Sequence, residues 1–192
     1  MIADKRVVKT RERIKNSFML LTLDNSKEKI SISLLTKKAQ INRSTFYLHY
    51  EDINDVVADI EKEISDKISE RMNEFEFGDI YKSTFKLFNS LTEILNENEI
   101  VKNYILFSTC STYITNRLCE ILVNITTEKI LQQFPNHTKQ AIIYPLNFAA
   151  FGIMGTYVKW AHTENNATTL NELIETVSAL IEKTMEYLKT VS

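Results

Sequence analysis

The sequence is poor in residues that bend or end secondary structure. It has three Gly and two Pro in 192 residues, so turns are scarce and long helices are expected. Runs of alternating β-branched residues between turn residues, which mark strands, are also missing. We therefore predict an all-α fold, in a chain long enough for one long domain or two small ones.

Signals for membranes and secretion are lacking as well. No apolar run of about 18 residues occurs, so we predict no transmembrane helix. Met1–Arg13 is charged throughout and lacks the apolar segment of a signal peptide. The two cysteines, Cys110 and Cys119, have no further Cys or His at a metal-binding spacing. We interpret them as small core residues of a cytoplasmic protein.

Sequence signatures of enzymes are also missing. His49, His137 and His162 have no paired Cys or carboxylate at the spacing of metal ligands. A Gly-rich phosphate loop, a nucleophile elbow around Ser and a Cys–His signature are not found either. We therefore predict no enzymatic activity, no cofactor and no metal site.

Charge is distributed unevenly along the chain. The net charge is −2, but residues 1–50 hold eleven Lys and Arg against four Asp and Glu, a net +7. The remainder holds 12 basic and 21 acidic residues, a net −9. A basic head on an acidic body indicates a DNA-binding module joined to a domain that does not bind DNA. Judged on charge alone, a solubilising N-terminal face is an equal alternative.

The stretch Ile30–Tyr50 contains two short helix patterns joined by a tight turn. Ser31 is placed to cap the first helix and Asn42 the second. Inward-facing positions are predicted at Leu34, Leu35, Ala39, Phe46 and Tyr50. The second helix leaves outside Ser44, Thr45, Tyr47 and His49. Two such helices form the helix-turn-helix that places its second helix in the DNA major groove.

One motif runs through this stretch, and its residues are Ser31-Ile32, Ala39, Asn42-Arg43, Thr45-Phe46-Tyr47, His49-Tyr50 and the helix-capping Asp52. Over residues 8 to 60 the chain resembles the TetR family of bacterial transcriptional regulators. The resemblance implies about nine helices in two domains. A three-helix helix-turn-helix DNA-binding domain would span residues 1–51, and a helical effector-binding and dimerisation domain would span residues 52–192.

The resemblance also implies roles for individual residues. Tyr47 and Thr45 match groups that position phosphate, whereas His49, Ser44 and Ser33 match groups that reach base edges. Arg43 is suited to either role and is the one side chain here that can grip a guanine with two hydrogen bonds. The full DNA-binding set is Ser31, Ser33, Arg43, Ser44, Thr45, Tyr47 and His49.

The chain departs from the family at three positions. The turn glycine common in the family is Gln40 here, so a side chain must tolerate a positive φ at a cost of about 1–2 kcal/mol. Lysines that touch phosphate often follow the recognition helix, and Glu51 and Ile53 occupy those positions. We expect this second change to weaken the electrostatic attraction of DNA.

Apolar periodicity predicts seven further helices. Their ranges are Asp4–Asp24, Asp52 to about Phe75, Asp79–Asn96, Glu99–Cys110, Tyr113–Phe134, Lys139–His162 and a final helix capped by Thr169 and Glu172. The first should bury Val7, Ile14, Phe18 and Leu21. The second should bury Ile53, Val56, Val57, Ile60, Ile64, Ile68, Met72 and Phe75. Pro145 predicts a kink or a helix start near that point.

Small residues form a stripe in the last helix but one. Two of the three glycines lie there, which indicates the close approach of another backbone. The apolar stripe of the final helix is too wide for one contact, and the resemblance implies that the last two helices pair with a second copy as a four-helix bundle. The predicted dimer interface is Ala149, Gly152, Gly155, Thr156, Leu173, Val177 and Leu180. A monomer with a plain buried hairpin is the alternative.

Aromatic residues are frequent in the C-terminal region. At helical spacing they form ordinary core as often as they line a ligand site. The resemblance favours a ligand site, because many family members bind an apolar or amphipathic small molecule between these helices. The candidate effector-binding residues are Phe88, Tyr104, Phe107, Cys110, Phe151, Met154 and Trp160.

These observations predict a homodimeric transcriptional regulator. We expect a repressor that binds an inverted-repeat operator in double-stranded DNA and is released by a small, largely apolar ligand, with no role for a membrane. Two alternatives stay open. One is a TetR-like co-activator that acts through a partner protein, and the other is a helical protein–protein adaptor.

Overall fold

A computed structural model describes residues 5–24, 29–73, 89, 92–93, 95–133, 135–136, 138–164 and 167–190. Helices account for the regular structure of this part of the chain, and no strand occurs in it. The helices are α1 (Lys5–Leu23), α2 (Ile32–Lys38), α3 (Arg43–Tyr47), α4 (Ile53–Asn73), α5 (Glu99–Phe107), α6 (Ser111–Gln133), α7 (Lys139–Ala161) and α8 (Leu170–Thr190). The predicted all-α fold is confirmed.

The chain divides into two compact units. The first unit comprises Met1–Ile64 and Asn98–Thr112, and the second comprises Ser65–Glu97 and Tyr113–Ser192. Helix α4 therefore begins in the first unit and ends in the second. The functional boundary between residues 51 and 52 stays a prediction.

The first unit is built around α1. Its buried face carries Ile14, Phe18 and Met19, and helix α5 packs against it, with the rings of Phe18 and Tyr104 edge to face at 6.2 Å. The end of α1 is also tied down, because the Thr109 amide donates to the Thr22 carbonyl over 3.1 Å. Helix α5 thus belongs to the core of the first unit, although it is distant in sequence from α1, α2 and α3.

The prediction for Val7 is wrong, because Val7 is 42% exposed. Every residue from Lys5 to Lys9 is exposed, so the first turns of α1 extend past the core that its later turns bury. Leu21 is half-buried. The apolar periodicity correctly predicted the buried residues in the middle of α1. It does not show how far along α1 the contact with the rest of the unit extends.

Helix α4 shows the predicted apolar stripe. Val56, Ile60, Ile64 and Ile68 are buried, while Ile53 and Val57 are half-buried. The side chain of Met72 and all of Phe75 lie outside the described residues. So does most of the predicted helix Asp79–Asn96, of which residues 89, 92–93 and 95–96 are described and helical.

The second unit contains α6, α7 and α8. Helix α7 packs on α8 and buries Ile142, Leu146, Ala149, Ala150, Ile153 and Tyr157. Helix α6 meets α7 where the Cys119 thiol lies 3.6 Å from the Ala150 carbonyl oxygen. Cys119 is buried as predicted, and its burial, with Glu120 nearby, raises the pKa of the thiol to about 11. Cys110 belongs to the first unit and is exposed, so its assignment to a core was wrong.

Helix α7 contains Pro145 without being divided by it. The helix begins at Lys139, where the Thr138 hydroxyl accepts from the Ala141 amide, so a start near Pro145 is wrong. By length and composition alone α7 is apolar enough to cross a membrane, and a third of its most apolar window is buried in the protein. A core helix of a soluble protein passes the same test of length and composition.

Candidate nucleic-acid interface

Helices α2 and α3 form the predicted helix-turn-helix. The Ser31 hydroxyl accepts from the Leu34 amide at 3.2 Å, and the Asn42 side chain accepts from the Thr45 amide at 2.6 Å. Both caps are as predicted, and each satisfies an amide that the first helical turn leaves free. The cap at Asn42 also fixes the residue at which the turn between α2 and α3 ends.

The turn after α2 is a left-handed helix ending. The Ile41 amide donates to the Thr36 carbonyl at 3.0 Å and the Gln40 amide to the Lys37 carbonyl at 3.2 Å. These two bonds are the Schellman pattern, which requires a residue of positive φ between them. Gln40 has a φ of 53°. The expectation that a non-glycine side chain tolerates a positive φ here is therefore confirmed, and the strain is in the order of 1–2 kcal/mol.

Arg13 of α1 supports this turn. Its guanidinium donates to the Ala39 carbonyl at 2.6 Å and lies 3.3 Å from the Gln40 carbonyl. A cation at the carboxyl end of α2 also interacts favourably with the partial negative charge there. Arg13 thus anchors the helix-turn-helix to α1 through the carbonyls of the turn.

The outward face of α3 carries the predicted DNA-binding side chains. Arg43 and Ser44 are exposed, Tyr47 is 58% exposed, and Thr45 and His49 are half-buried. Ser31 and Ser33 at the start of α2 are exposed as well. Phe46 and Tyr50 are buried as predicted, and their rings lie 5.9 Å apart. The seven side chains of the predicted DNA-binding set therefore lie in one compact unit.

A network of polar groups fixes the end of α3 to α1 and α4. The Tyr50 hydroxyl donates to the Asp59 carboxylate at 2.7 Å, and Arg11 forms an ion pair with the same carboxylate at 3.1 Å. The Arg11 guanidinium also lies 4.5 Å from the centre of the Tyr50 ring. Lys15 contacts Asp59 at 3.6 Å and pairs with Glu63. Three elements are thus joined through one carboxylate.

This network shifts the ionisation of its members. Burial by itself would raise the pKa of Asp59, but the hydrogen bonds from Tyr50 and Arg11 and the charge of Lys15 hold it below its ordinary value. Burial and the neighbouring carboxylate raise the pKa of Tyr50 well above its ordinary value. Asp59 is therefore ionised and Tyr50 neutral near neutral pH, which is the state that their hydrogen bond requires.

The start of α4 is acidic. Asp52 accepts from the amides of Asn54 and Asp55 at 2.7 and 3.1 Å, and Asp55 accepts from the Glu51 amide at 2.8 Å. The predicted cap at Asp52 is confirmed. Helix N-termini commonly bind phosphate through such amides, whereas here carboxylates of the chain itself occupy them.

The predicted dimer residues fall into two groups. Ala149, Leu173 and Val177 are buried within their own chain. Gly152, Gly155, Thr156 and Leu180 are exposed. Apart from the neighbouring residues and backbone of the same helix, no described atom lies within 4 Å of a Cβ built on either glycine. The close approach inferred from the glycines is therefore not made by another described part of the chain.

The predicted effector residues are divided between the two units. Tyr104, Phe107 and Cys110 belong to the first unit, and Phe151, Met154 and Trp160 belong to the second. Tyr104 is used in the packing of α5 on α1, and Trp160 donates to the Thr168 carbonyl at 2.9 Å and stacks on Tyr157 at 6.0 Å. Phe88 lies outside the described residues. Among the described residues, no group of His, Cys, Asp and Glu could hold a metal ion.

Sequence reasoning missed three residues of this region. Arg11 and Asp59 lack a local signal, because their pairing is made by the tertiary structure. Leu48 had one: it lies one turn after Ser44, on the outward face that the helical period defines. Its side chain is 82% exposed.

The fold is shared with solved structures. A TetR transcriptional regulator from Streptococcus agalactiae superposes with a TM-score of 0.57 and 20% identity, over 100% of this chain and 98% of that one. A dihydroxyacetone kinase operon activator superposes with a TM-score of 0.51 and 16% identity, over 95% and 96% of the two chains. No family model and no curated sequence matches the chain. The chain is therefore similar in fold to a TetR regulator over its whole length.

Proposed function

We propose that the protein is a DNA-binding transcriptional regulator of the TetR type. The observation that carries the proposal is the surface of α3, where Arg43, Ser44 and Tyr47 point outward from a base formed by Phe46 and Tyr50. The surrounding 50 residues carry a net charge of +7. An outward polar helix in a basic unit is suited to the major groove of DNA. The fold shared with a TetR regulator supports the same function.

The proposal includes a homodimer. Helix α7 exposes Tyr144 at 74%, Phe148 at 72% and both of its glycines, and α8 exposes Leu180 at 65%. An exposed apolar face of this kind favours association. A second copy of the chain is the partner that fits, because a single helix-turn-helix makes few base contacts. Two of them, held about 34–36 Å apart by a two-fold axis, meet successive major grooves. The operator is then an inverted repeat.

The sign of regulation and the effector complete the proposal. We infer a cytoplasmic repressor, without enzymatic activity, that a small and largely apolar ligand releases from DNA. Helix α4 is a rod of about 30 Å at 1.5 Å per residue, and it belongs to both units. A ligand that binds more tightly to one orientation of this helix favours one spacing of the two DNA-binding units in the dimer. The size of the shift is set by the difference between the ligand's affinities for the two orientations.

A co-activator that works through a partner protein is the second candidate. The specific observation in its favour is the start of α4, where Glu51 and Ile53 stand in place of lysines that touch phosphate and carboxylates of Asp52 and Asp55 occupy backbone amides. One of the solved structures with a similar fold is that of an operon activator. Weak DNA binding that a partner strengthens would distinguish this candidate from a repressor.

Fluorescence anisotropy with DNA from upstream of the gene tests the proposal. We expect the wild type to bind in a saturable way and to lose affinity steeply between two salt concentrations, as phosphate contacts require. Arg43→Ala combined with Tyr47→Ala should abolish specific binding. Arg117→Ala on α6 removes a partly exposed cation from the second unit and should leave binding unchanged.

The remaining outcomes separate the alternatives. No binding at either salt concentration contradicts the regulator and favours an adaptor. Binding that appears only with a protein partner favours the co-activator. Sedimentation as a monomer at micromolar concentration contradicts the dimer.

A further inference from the structure

Leu48 is the most exposed large apolar side chain in the described part of the chain, at 82%. The other apolar side chains of the helix-turn-helix core, Leu35, Ala39, Phe46 and Tyr50, are buried. Leu48 therefore contributes little to the packing of this unit. Its exposed position at the end of α3 leaves its side chain available to contact a partner.

The backbone places Leu48 on the outward face of α3. Its φ of −72° and ψ of −17° continue the helical geometry, and its amide donates to the Ser44 carbonyl at 3.2 Å. Leu48 thus lies one turn beyond Ser44. The amide of Tyr50 donates to the Phe46 carbonyl at 3.0 Å, which keeps the buried pair on the opposite face.

The surroundings of Leu48 restrict what can cover it. The exposed charged side chains near Leu48 in sequence are Arg43 before it and the acids Glu51 and Asp52 after it. Residues 1–50 as a whole carry a net charge of +7, so an anionic partner that also offers an apolar group fits this surface. Duplex DNA has both: phosphates along its edges, and the C5 methyl group of thymine as the apolar group of its major groove.

We propose that Leu48 is a specificity-determining residue that contacts a thymine methyl group in each operator half-site. The proposal rests on the proposed function, since it needs α3 in the major groove. It adds the chemistry of one base to be recognised: a thymine selected by its methyl group, beside bases that Arg43 and Ser44 contact by hydrogen bonds.

The experiment uses the full-length protein and duplexes selected from a random library. In the preferred site each thymine is replaced in turn by deoxyuridine, which removes the methyl group and keeps the hydrogen-bonding edge. We expect one thymine per half-site at which deoxyuridine weakens wild-type binding about fourfold, the factor that matches one buried methyl group. Replacement in both half-sites should weaken binding about fifteenfold.

Variants assign the effect to Leu48. Leu48→Ala should bind the thymine and deoxyuridine duplexes equally, and Leu48→Met should keep the preference. Leu20→Ala removes the same side chain from α1 and should behave as the wild type. Since Leu48 is exposed, its variants should unfold at the wild-type temperature, which thermal melting checks.

Each contrary result has a distinct meaning. If no duplex is enriched, the proposed function fails and this inference fails with it. If an inverted repeat is enriched but tolerates deoxyuridine at every thymine, only the role of Leu48 is overturned. If Leu48→Ala keeps the wild-type preference for thymine, another residue reads the methyl group and the inference is again overturned.

Discussion

The guanidinium of Arg13 donates a 2.6 Å hydrogen bond to the carbonyl oxygen of Ala39. This bond joins the middle of α1 to the turn between α2 and α3, at the residue before the strained Gln40. The turn residue and its support therefore come from two helices that are separate in sequence. Since the turn sets the angle between α2 and α3, we expect changes here to affect both stability and DNA binding.

Gln40→Gly should stabilise the protein. Glycine removes the steric cost of a positive φ, about 1–2 kcal/mol, and loses part of that gain through the freedom of the unfolded chain, about 0.4–1 kcal/mol. We expect a net increase of about 0.5–1 kcal/mol in the free energy of unfolding, measured by urea denaturation. Gln40→Ala keeps the Cβ and should resemble the wild type. A loss of stability in Gln40→Gly would show that the Gln40 side chain makes a compensating contact.

Asp59→Asn should remove a pH-dependent part of the stability. The pKa of Asp59 is held below its ordinary value of 3.8, so its ionised form stabilises the folded state above that value, and the stabilisation is lost as the pH falls through the folded-state pKa. We expect a loss of about 1–2 kcal/mol at neutral pH. In urea titrations the gap to the wild type should be constant above about pH 5 and shrink below about pH 4.

Tyr50→Phe provides the control for the same network. It removes the hydroxyl that donates to Asp59 but keeps the ring on which Arg11 lies. Because Arg11 and Lys15 still pair with Asp59, the loss should be smaller than in Asp59→Asn and should still vary with pH in acid. The free energies of unfolding of the wild type and Asp59→Asn should converge in acid. A difference between them that stays constant down to about pH 3 would count against this account.

Gly152→Ala should separate chain stability from dimer stability. Apart from the neighbouring residues and backbone of its own helix, an added Cβ meets no described atom within 4 Å, and alanine favours an exposed helical position by about 1 kcal/mol. If this face packs on a second copy, the same methyl group obstructs the approach. Sedimentation velocity should show weaker self-association, while urea denaturation of the dissociated chain shows a gain.

Asn124→Ala is the matched control for the glycine variant. Asn124 is exposed on α6, so alanine there should also favour the helix and leave self-association at the wild-type value. Equal self-association of all three proteins would place Gly152 outside the interface.

Glu51→Lys should strengthen DNA binding. Glu51 is exposed, and the bond to Asp55 comes from its backbone amide, so the cap survives the change. One new phosphate contact should raise affinity about threefold to tenfold at low salt and steepen the salt dependence by about one released ion. Glu175→Lys makes the same charge change on α8. An equal gain in both variants would indicate a bulk charge effect instead of a local contact.

Local signals predicted much of the candidate interface. Ser31, Asn42 and Asp52 cap their helices as expected. An N-cap needs only a side chain that can accept a hydrogen bond and a backbone amide two or three residues later. Phe46 and Tyr50 are buried because the helical period puts them on one face. The positive φ at Gln40 was expected because Gln40 takes the place of a turn glycine common in the family that the sequence resembles. All of these depend on residues within one or two turns of each other.

Other features depend on contacts between distant parts of the chain. The exposure of Val7 and Cys110 follows from where the packing of the first unit ends, and periodicity within a helix does not contain that information. The assignment of α5 to the first unit, through Phe18 and Tyr104, likewise needs the folded chain. The candidate effector residues were selected as aromatic or other apolar side chains of the C-terminal region, and the fold divides the described ones between two units.

The sequence by itself determined that this protein is helical, where its short helices begin, and which side of α3 faces outward, because these follow from hydrogen bonding and periodicity over a few neighbouring residues. The tertiary structure alone decided that Arg13 supports the turn at Gln40 and that Asp59 joins Arg11, Lys15 and Tyr50. Such pairs form only when packing of the apolar faces brings distant helices within hydrogen-bonding distance.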